Sequence, residues 1–101
     1  MRCSPEEVKS LDGSEEEILS GLCKALGHPA RLKLLRILIR EGECISGDLA
    51  DQLPLAASTI SEHLRILKDA GLIRGSIDGP RRCYCVHQPS LGRLKHLIQD
   101  L

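Results

Sequence analysis

The most constraining feature of the chain is the junction at Gly71. A helix-periodic segment, STISEHLRILKDAG, runs straight into two short alternating segments separated by Asp78-Gly79-Pro80-Arg81. In the first segment Ile60, Leu64 and Leu67 are spaced i, i+4, i+7, and Gly71 is a C-terminal stop. Leu72, Ile73 and Ile77 then predict a strand, and residues 82–87 a returning strand. Upstream, Ser46 is placed to cap a short helix through Leu49, Ala50 and Leu53, which Pro54 breaks. Two helices joined by a tight turn and followed by a hairpin with a basic tip make the plan of a winged helix-turn-helix.

The rest of the chain supplies the supports. Ser4-Pro5-Glu6-Glu7 opens a short arm or helix ending near Asp12-Gly13, and Ser14-Glu15-Glu16-Glu17 is a second capping box. Behind it Ile18, Leu22, Ala25 and Leu26 form one stripe, ended by Gly27-His28-Pro29. Residues 30–41 carry Leu32, Leu34, Leu35, Ile37, Leu38 and Ile39, which cover more than one face and predict a central helix. Cys44-Ile45 has the length of a very short strand. The last helix, from Pro89 or Ser90, bears a 3-4-3 seam of Leu91, Leu94, Ile98 and Leu101. The predicted class is α+β, mostly helical. Residues 1–101 form one domain: an arm at 1–13, dimerisation helices at 14–26 and 89–101, a helix-turn-helix at 46–70 and a wing at 72–87.

Composition narrows the setting. With no Phe or Trp and a single Tyr, the core is built from Leu, Ile, Val and Ala. The 89–101 seam is too long for so small a core to cover. Pairing Leu91, Leu94, Ile98 and Leu101 with Ile18 and Leu22 across a two-fold axis predicts a homodimer. No apolar run reaches the about 18 residues of a membrane span, and the N-terminus lacks the apolar region of a secretory signal. The chain is therefore expected to be cytoplasmic, with no membrane partner and its cysteines reduced by default. Five cysteines, an odd number, argue against a closed disulfide framework.

Net charge is zero, yet the charges are unevenly placed. Residues 6–17 hold six acids against Lys9, whereas Arg65, Lys68, Arg74, Arg81 and Arg82 lie in the second half. On the second helix of the helix-turn-helix, Ser58, Thr59, Ser61, His63, Arg65 and Lys68 are the candidate DNA contacts. Small hydroxyls at a helix N-terminus allow close approach to phosphates and base edges. Glu62 on the same side would accept from a cytosine amino group or simply be solvated. Arg81 and Arg82 at the wing tip suit phosphate or the minor groove. Two such helices on a dimer predict double-stranded operator DNA with an inverted repeat, its half-sites about 10 bp or a multiple apart. A winged helix that binds another protein instead of DNA is the competing class. No glycine-rich phosphate loop, HExxH or triad suggests an enzyme.

Cys83 and Cys85 flank Tyr84 on the returning strand, so both thiols point to one face. With Tyr84 and Val86 turned to the core, that face is expected to be the more accessible one. A disulfide between the two would be strained, because their Cα atoms stand roughly 6.5–7 Å apart. Together with Cys44 they would make a trigonal thiolate site for a soft ion. Arsenite or antimonite is then the favoured inducer, and no resident cofactor is required. A redox or persulfide switch that pairs a wing cysteine with Cys44 or Cys23 is the alternative. A third reading is that they are half-buried strand residues with no sensing role.

LCKALGHPARLKLLRIL, GDLADQLPLAASTISEHLRILKDAGLI and DGPRRCYCV together resemble the ArsR/SmtB family of winged-helix repressors, over residues 18–100 or so. The resemblance implies a homodimer paired through its first and last helices, an operator near the regulated genes, and release of DNA when an inducer binds. The family's ELCVCDL metalloid site is altered here, where Ile45 and Gly47 stand at its cysteine positions. For its zinc site on the last helix the candidates are His87, His96, Gln99 and Asp100. No Asp stands two residues before His87, so that set is incomplete.

Overall fold

A computed structural model of the chain describes residues 13–41, 53–76 and 83–101. The expected arm, the Cys44-Ile45 strand, almost all of the first helix-turn-helix helix and the wing tip lie outside these residues. Four helices and one hairpin are described: α1 (Glu15–Ala25), α2 (Pro29–Glu41), α3 (Ala57–Asp69), β1 (Ile73–Ser76), β2 (Cys83–Val86) and α4 (Gln88–Gln99). The mostly helical winged-helix plan is borne out, and the described elements begin and end within a residue or two of those expected. No described helix is long and apolar enough to cross a membrane.

Each boundary has a local cause. Ser14 caps α1: its hydroxyl accepts from the Glu17 amide at 3.2 Å and donates to the Glu17 carboxylate at 3.2 Å. Three glutamates fill the first turn, where the helix dipole favours them. His28 caps α2, its Nδ1 accepting from the Ala30 amide at 3.1 Å. At the end of α3, Gly71 takes φ +84°, its amide bonds to the Lys68 carbonyl, and the Leu72 amide reaches back to the Leu67 carbonyl at 3.0 Å. This paired closure needs a left-handed residue, which glycine adopts without a Cβ clash. It delivers the chain directly into β1.

The core is aliphatic apart from Tyr84. Leu22, Leu34, Leu38, Leu64, Leu67, Leu72 and Ile73 are its most deeply buried side chains. α1 packs on α4, α2 lies between α3 and β2, and α3 abuts β1. Leu32 and Ile39, expected to help surround α2 with apolar contacts, are exposed at 45% and 41%. The central helix is thus covered on one broad side only.

The seam of α4 also differs from the expected one. Ser90, Leu91, Leu94 and Leu97 face inward, whereas Ile98 is 49% and Leu101 92% exposed. Positions 91, 94 and 97, spaced i, i+3, i+6, meet the core, and 98 and 101 fall to the side. Ile18, Leu22, Leu91 and Leu94 are consumed by the core of one chain. Ile98 and Leu101 are the apolar groups that α4 and its C-terminal end leave outside.

Candidate nucleic-acid interface and wing site

α3 presents two unlike sides. Ile60, Leu64 and Leu67 are buried, while Ser58 and Thr59 are exposed and Ser61 is half-buried. The N-cap is Ala56, which makes no side-chain capping bond. Ser58 is therefore not the capping residue, and its hydroxyl lies inside the first turn. The first amides of α3 receive no side-chain acceptor from the cap, which suits a helix end that meets an anion. Arg65 is committed in part to its own helix, through a 3.1 Å ion pair with Glu62 at an exposed position. Such a pair contributes little to stability.

Two expected DNA contacts have other partners. Lys68 Nζ donates to the Gly75 carbonyl at 2.6 Å, tying the end of α3 to β1. Gly75 has φ +125°, and its carbonyl is the acceptor that Lys68 reaches. The ring of His63 stacks against His28, with centroids 4.6 Å apart and planes tilted by 43°. Its Nδ1 is buried without a hydrogen-bond partner. Burial first, then the nearby His28 and Arg31, lowers the pKa of His63, with Glu62 opposing. His63 is thus a joint between α3 and the start of α2. Arg81 and Arg82 lie outside the described residues.

In the wing, β1 and β2 are antiparallel, with Ile73 opposite Val86, Arg74 opposite Cys85, Gly75 opposite Tyr84 and Ser76 opposite Cys83. Tyr84 and Val86 face the core as expected. Cys85, expected on an accessible face, is only 6% exposed. It is disulfide-bonded, and Cys23, exposed on α1, is free. The partner sulfur of Cys85 is not among the described side chains, and Cys44 lies outside them too. The accessible-thiol expectation fails because alternation fixes which side of the strand Cys85 takes and not whether that side is covered. Among the described residues no three His, Cys, Asp or Glu side chains gather as a metal site. His87 Nδ1 shares a 2.8 Å hydrogen bond with Ser90 Oγ, and His96 pairs with Asp100 at 3.1 Å in an exposed i, i+4 contact.

The family model for the bacterial regulatory protein arsR family matches residues 28–74, which span α2, α3 and the start of the wing. The chain is 35% identical over 85 residues to the HTH-type transcriptional regulator CmtR of Mycobacterium tuberculosis, covering 83% of this chain and 71% of that protein. It is 32% identical over 95 residues to the HTH-type transcriptional regulator YgaV of Escherichia coli, covering 94% and 95%. The chain belongs to the ArsR family. The crystal structure of another ArsR family transcriptional regulator superposes with a TM-score of 0.72 at 24% identity, over 88% of this chain and 91% of that one, which supports the shared fold. This ArsR-family regulator is accordingly a DNA-binding transcription factor and not an enzyme.

Within that identity, the wing of the regulator holds features that sequence reasoning passes over. In the sequence Arg74 is only one positive charge among several, and neither His28 nor Arg31 stands out. Arg74 is detectable in principle, since counting back across the DGP turn pairs it with Cys85. The His28–His63 contact joins residues 35 positions apart in the chain, and no local spacing signals it.

Proposed function

We propose that the regulator is a homodimeric repressor that reads an inverted-repeat operator with α3 and releases it when the thiol state of its wing changes. The observation that carries the DNA part is the exposed, hydroxyl-lined and side-chain-uncapped start of α3, with its opposite stripe locked in the core. Dimer formation is supported by Ile98 and Leu101, apolar groups left uncovered at the end of α4. The sensing part rests on Cys85, a buried, disulfide-bonded residue of β2. The reduced protein holds DNA. Closing the disulfide fixes β2 covalently and removes the freedom the wing needs to fit the groove.

A second reading keeps the reduced protein as the receptor and makes arsenite or antimonite the inducer. It is supported by the spacing of Cys83 and Cys85, two positions apart on β2, with Cys44 as the third thiolate.

Fluorescence anisotropy with labelled DNA from upstream of the regulator's own gene tests both readings. The reduced protein is expected to bind at least about tenfold more tightly than the oxidised protein, a difference of about 1.4 kcal/mol. Absence of binding in both states sinks the repressor reading. Release of the reduced protein by arsenite, lost in Cys83→Ser with Cys85→Ser, moves the assignment to the metalloid.

A further inference from the structure

The wing sheet has a face that the core does not use. Ile73, Tyr84 and Val86 belong to the core cluster and define the inner face. Side chains alternate along a strand, so the pair Arg74–Cys85 belongs to the outer face. The His87 amide donates to the Leu72 carbonyl at 2.9 Å, extending the ladder by one position and setting His87 on the same outer side as Cys85. Cys85 is buried, yet it is not part of the apolar core cluster. What stands opposite it is a guanidinium-bearing residue. Directly opposed residues of an antiparallel pair have Cβ atoms about 4.5–5.5 Å apart.

That placement sets two effects against each other. Burial in apolar surroundings disfavours a thiolate, whereas a cation within about 4–6 Å favours it. Here Arg74 and His87 are the described polar neighbours on that side, with the buried Leu72 opposite His87, and Arg74 cannot lose its charge. The field of Arg74 is felt further along the same face. Burial first, then Arg74, lowers the pKa of His87 and keeps its ring toward the neutral form. His87 is also tied to Ser90 Oγ, and the register sets Arg74 directly opposite Cys85.

We propose that Arg74 is a positioning residue of the wing switch, holding Cys85 as the thiolate whenever its disulfide opens. The inference rests on the thiol reading of the wing. Cys85 is then the leaving sulfur in thiol–disulfide exchange, because the sulfur of lower pKa leaves faster. A low-molecular-weight thiolate attacks the partner sulfur and forms a mixed disulfide with it. The bond to Cys85 breaks, and its electron pair stays on Cys85 beside Arg74. A second thiolate takes the mixed disulfide apart, giving the small-molecule disulfide and the partner's thiolate. Two electrons pass from two small thiols to the protein. In the reverse sequence, driven by a small-molecule disulfide, the partner's thiolate forms the mixed disulfide and releases one small thiolate; the Cys85 thiolate then attacks the partner sulfur, closing the protein disulfide and releasing the second.

The test is the pH profile of alkylation at Cys85 in the reduced full chain, carried in a Cys83→Ser background and read by mass spectrometry with iodoacetamide. Limited access to a buried sulfur slows the reaction at every pH but leaves the midpoint of the profile in place. The midpoint is expected below the ordinary thiol value of about 8.5, and Arg74→Met is expected to slow alkylation at pH 7 about tenfold, with Arg74→Lys between the two. A midpoint at or above the ordinary value in the protein with Arg74 intact overturns the proposal without recourse to any Arg74 variant. So does a profile that Arg74→Met leaves unmoved. DNA affinity of the reduced and oxidised forms is measured on the parent chain, with Cys83 in place. If it is the same in both forms while the midpoint is low and moves with Arg74, the switch reading fails and the role of Arg74 stands.

Discussion

Lys68 Nζ donates to the Gly75 carbonyl at 2.6 Å, so the last turn of α3 is fastened to the first strand of the wing. The two elements expected to touch DNA are thereby held in one orientation by a charge-assisted bond. Lys68→Met keeps the aliphatic stem and removes the bond. It is expected to lower stability by about 1.5–3 kcal/mol in urea unfolding, the range for hydrogen bonds to charged groups. Its salt dependence of DNA binding is expected to match the parent, because this ammonium group is directed at protein. A salt slope reduced by about one would show that Lys68 meets a phosphate instead.

Glu62 sits beside Arg65 on the exposed side of α3. The pair is solvated, so its loss is expected to change stability by less than about 0.5 kcal/mol. Glu62→Gln also removes a negative charge from the surface offered to DNA and releases Arg65. Affinity for operator and for unrelated DNA is expected to rise severalfold at low salt and to converge with the parent at high salt. Anisotropy titrations over a salt series measure this, and weaker binding to operator alone would instead mark Glu62 as a base contact.

Both His63 and His87 have lowered pKa values, with burial the leading cause in each. The sign comes from linkage. The unfolded chain binds protons at the ordinary histidine value of 6.5, where the folded chain still does not. Stability is therefore full above that value and falls as pH drops through it toward the folded values. Urea midpoints are expected to decline on acidification from pH 7.5 to about 5, and His63→Asn with His87→Asn to flatten that decline. A parent midpoint that stays level across this range would contradict it.

Ile98 is 49% and Leu101 92% exposed at the end of α4, whereas Leu94 and Leu97 are buried. If these outer groups join two copies, Ile98→Asp with Leu101→Asp gives a folded monomer that binds operator weakly. Leu94→Ala would instead open a cavity in one chain's core, with a cost of about 2–5 kcal/mol. Light-scattering mass alongside thermal unfolding separates the two. A parent that is already monomeric at micromolar concentration overturns the dimer.

Element order, the winged-helix plan and the inward stripe of α3 were legible in the chain before any tertiary contact. These come from signals local in the chain: apolar spacing at i, i+4, i+7, the Ser14 cap, the Gly71 stop, and alternation around Tyr84. The sequence also singled out the hydroxyls at the start of α3. The features it left undecided depend on contacts between distant segments. Position 97 rather than 98 completes the buried face of α4 because the rotation of that helix is set by packing on α1. His63 turns toward His28, and Lys68 toward Gly75, because a neighbouring element offers a closer partner than solvent. Cys85 is buried although strand alternation puts it on the outer side, because alternation fixes the direction of a side chain and not what lies above it. Periodicity names the faces of each element. Only the assembled structure decides which of those faces is covered, and by what.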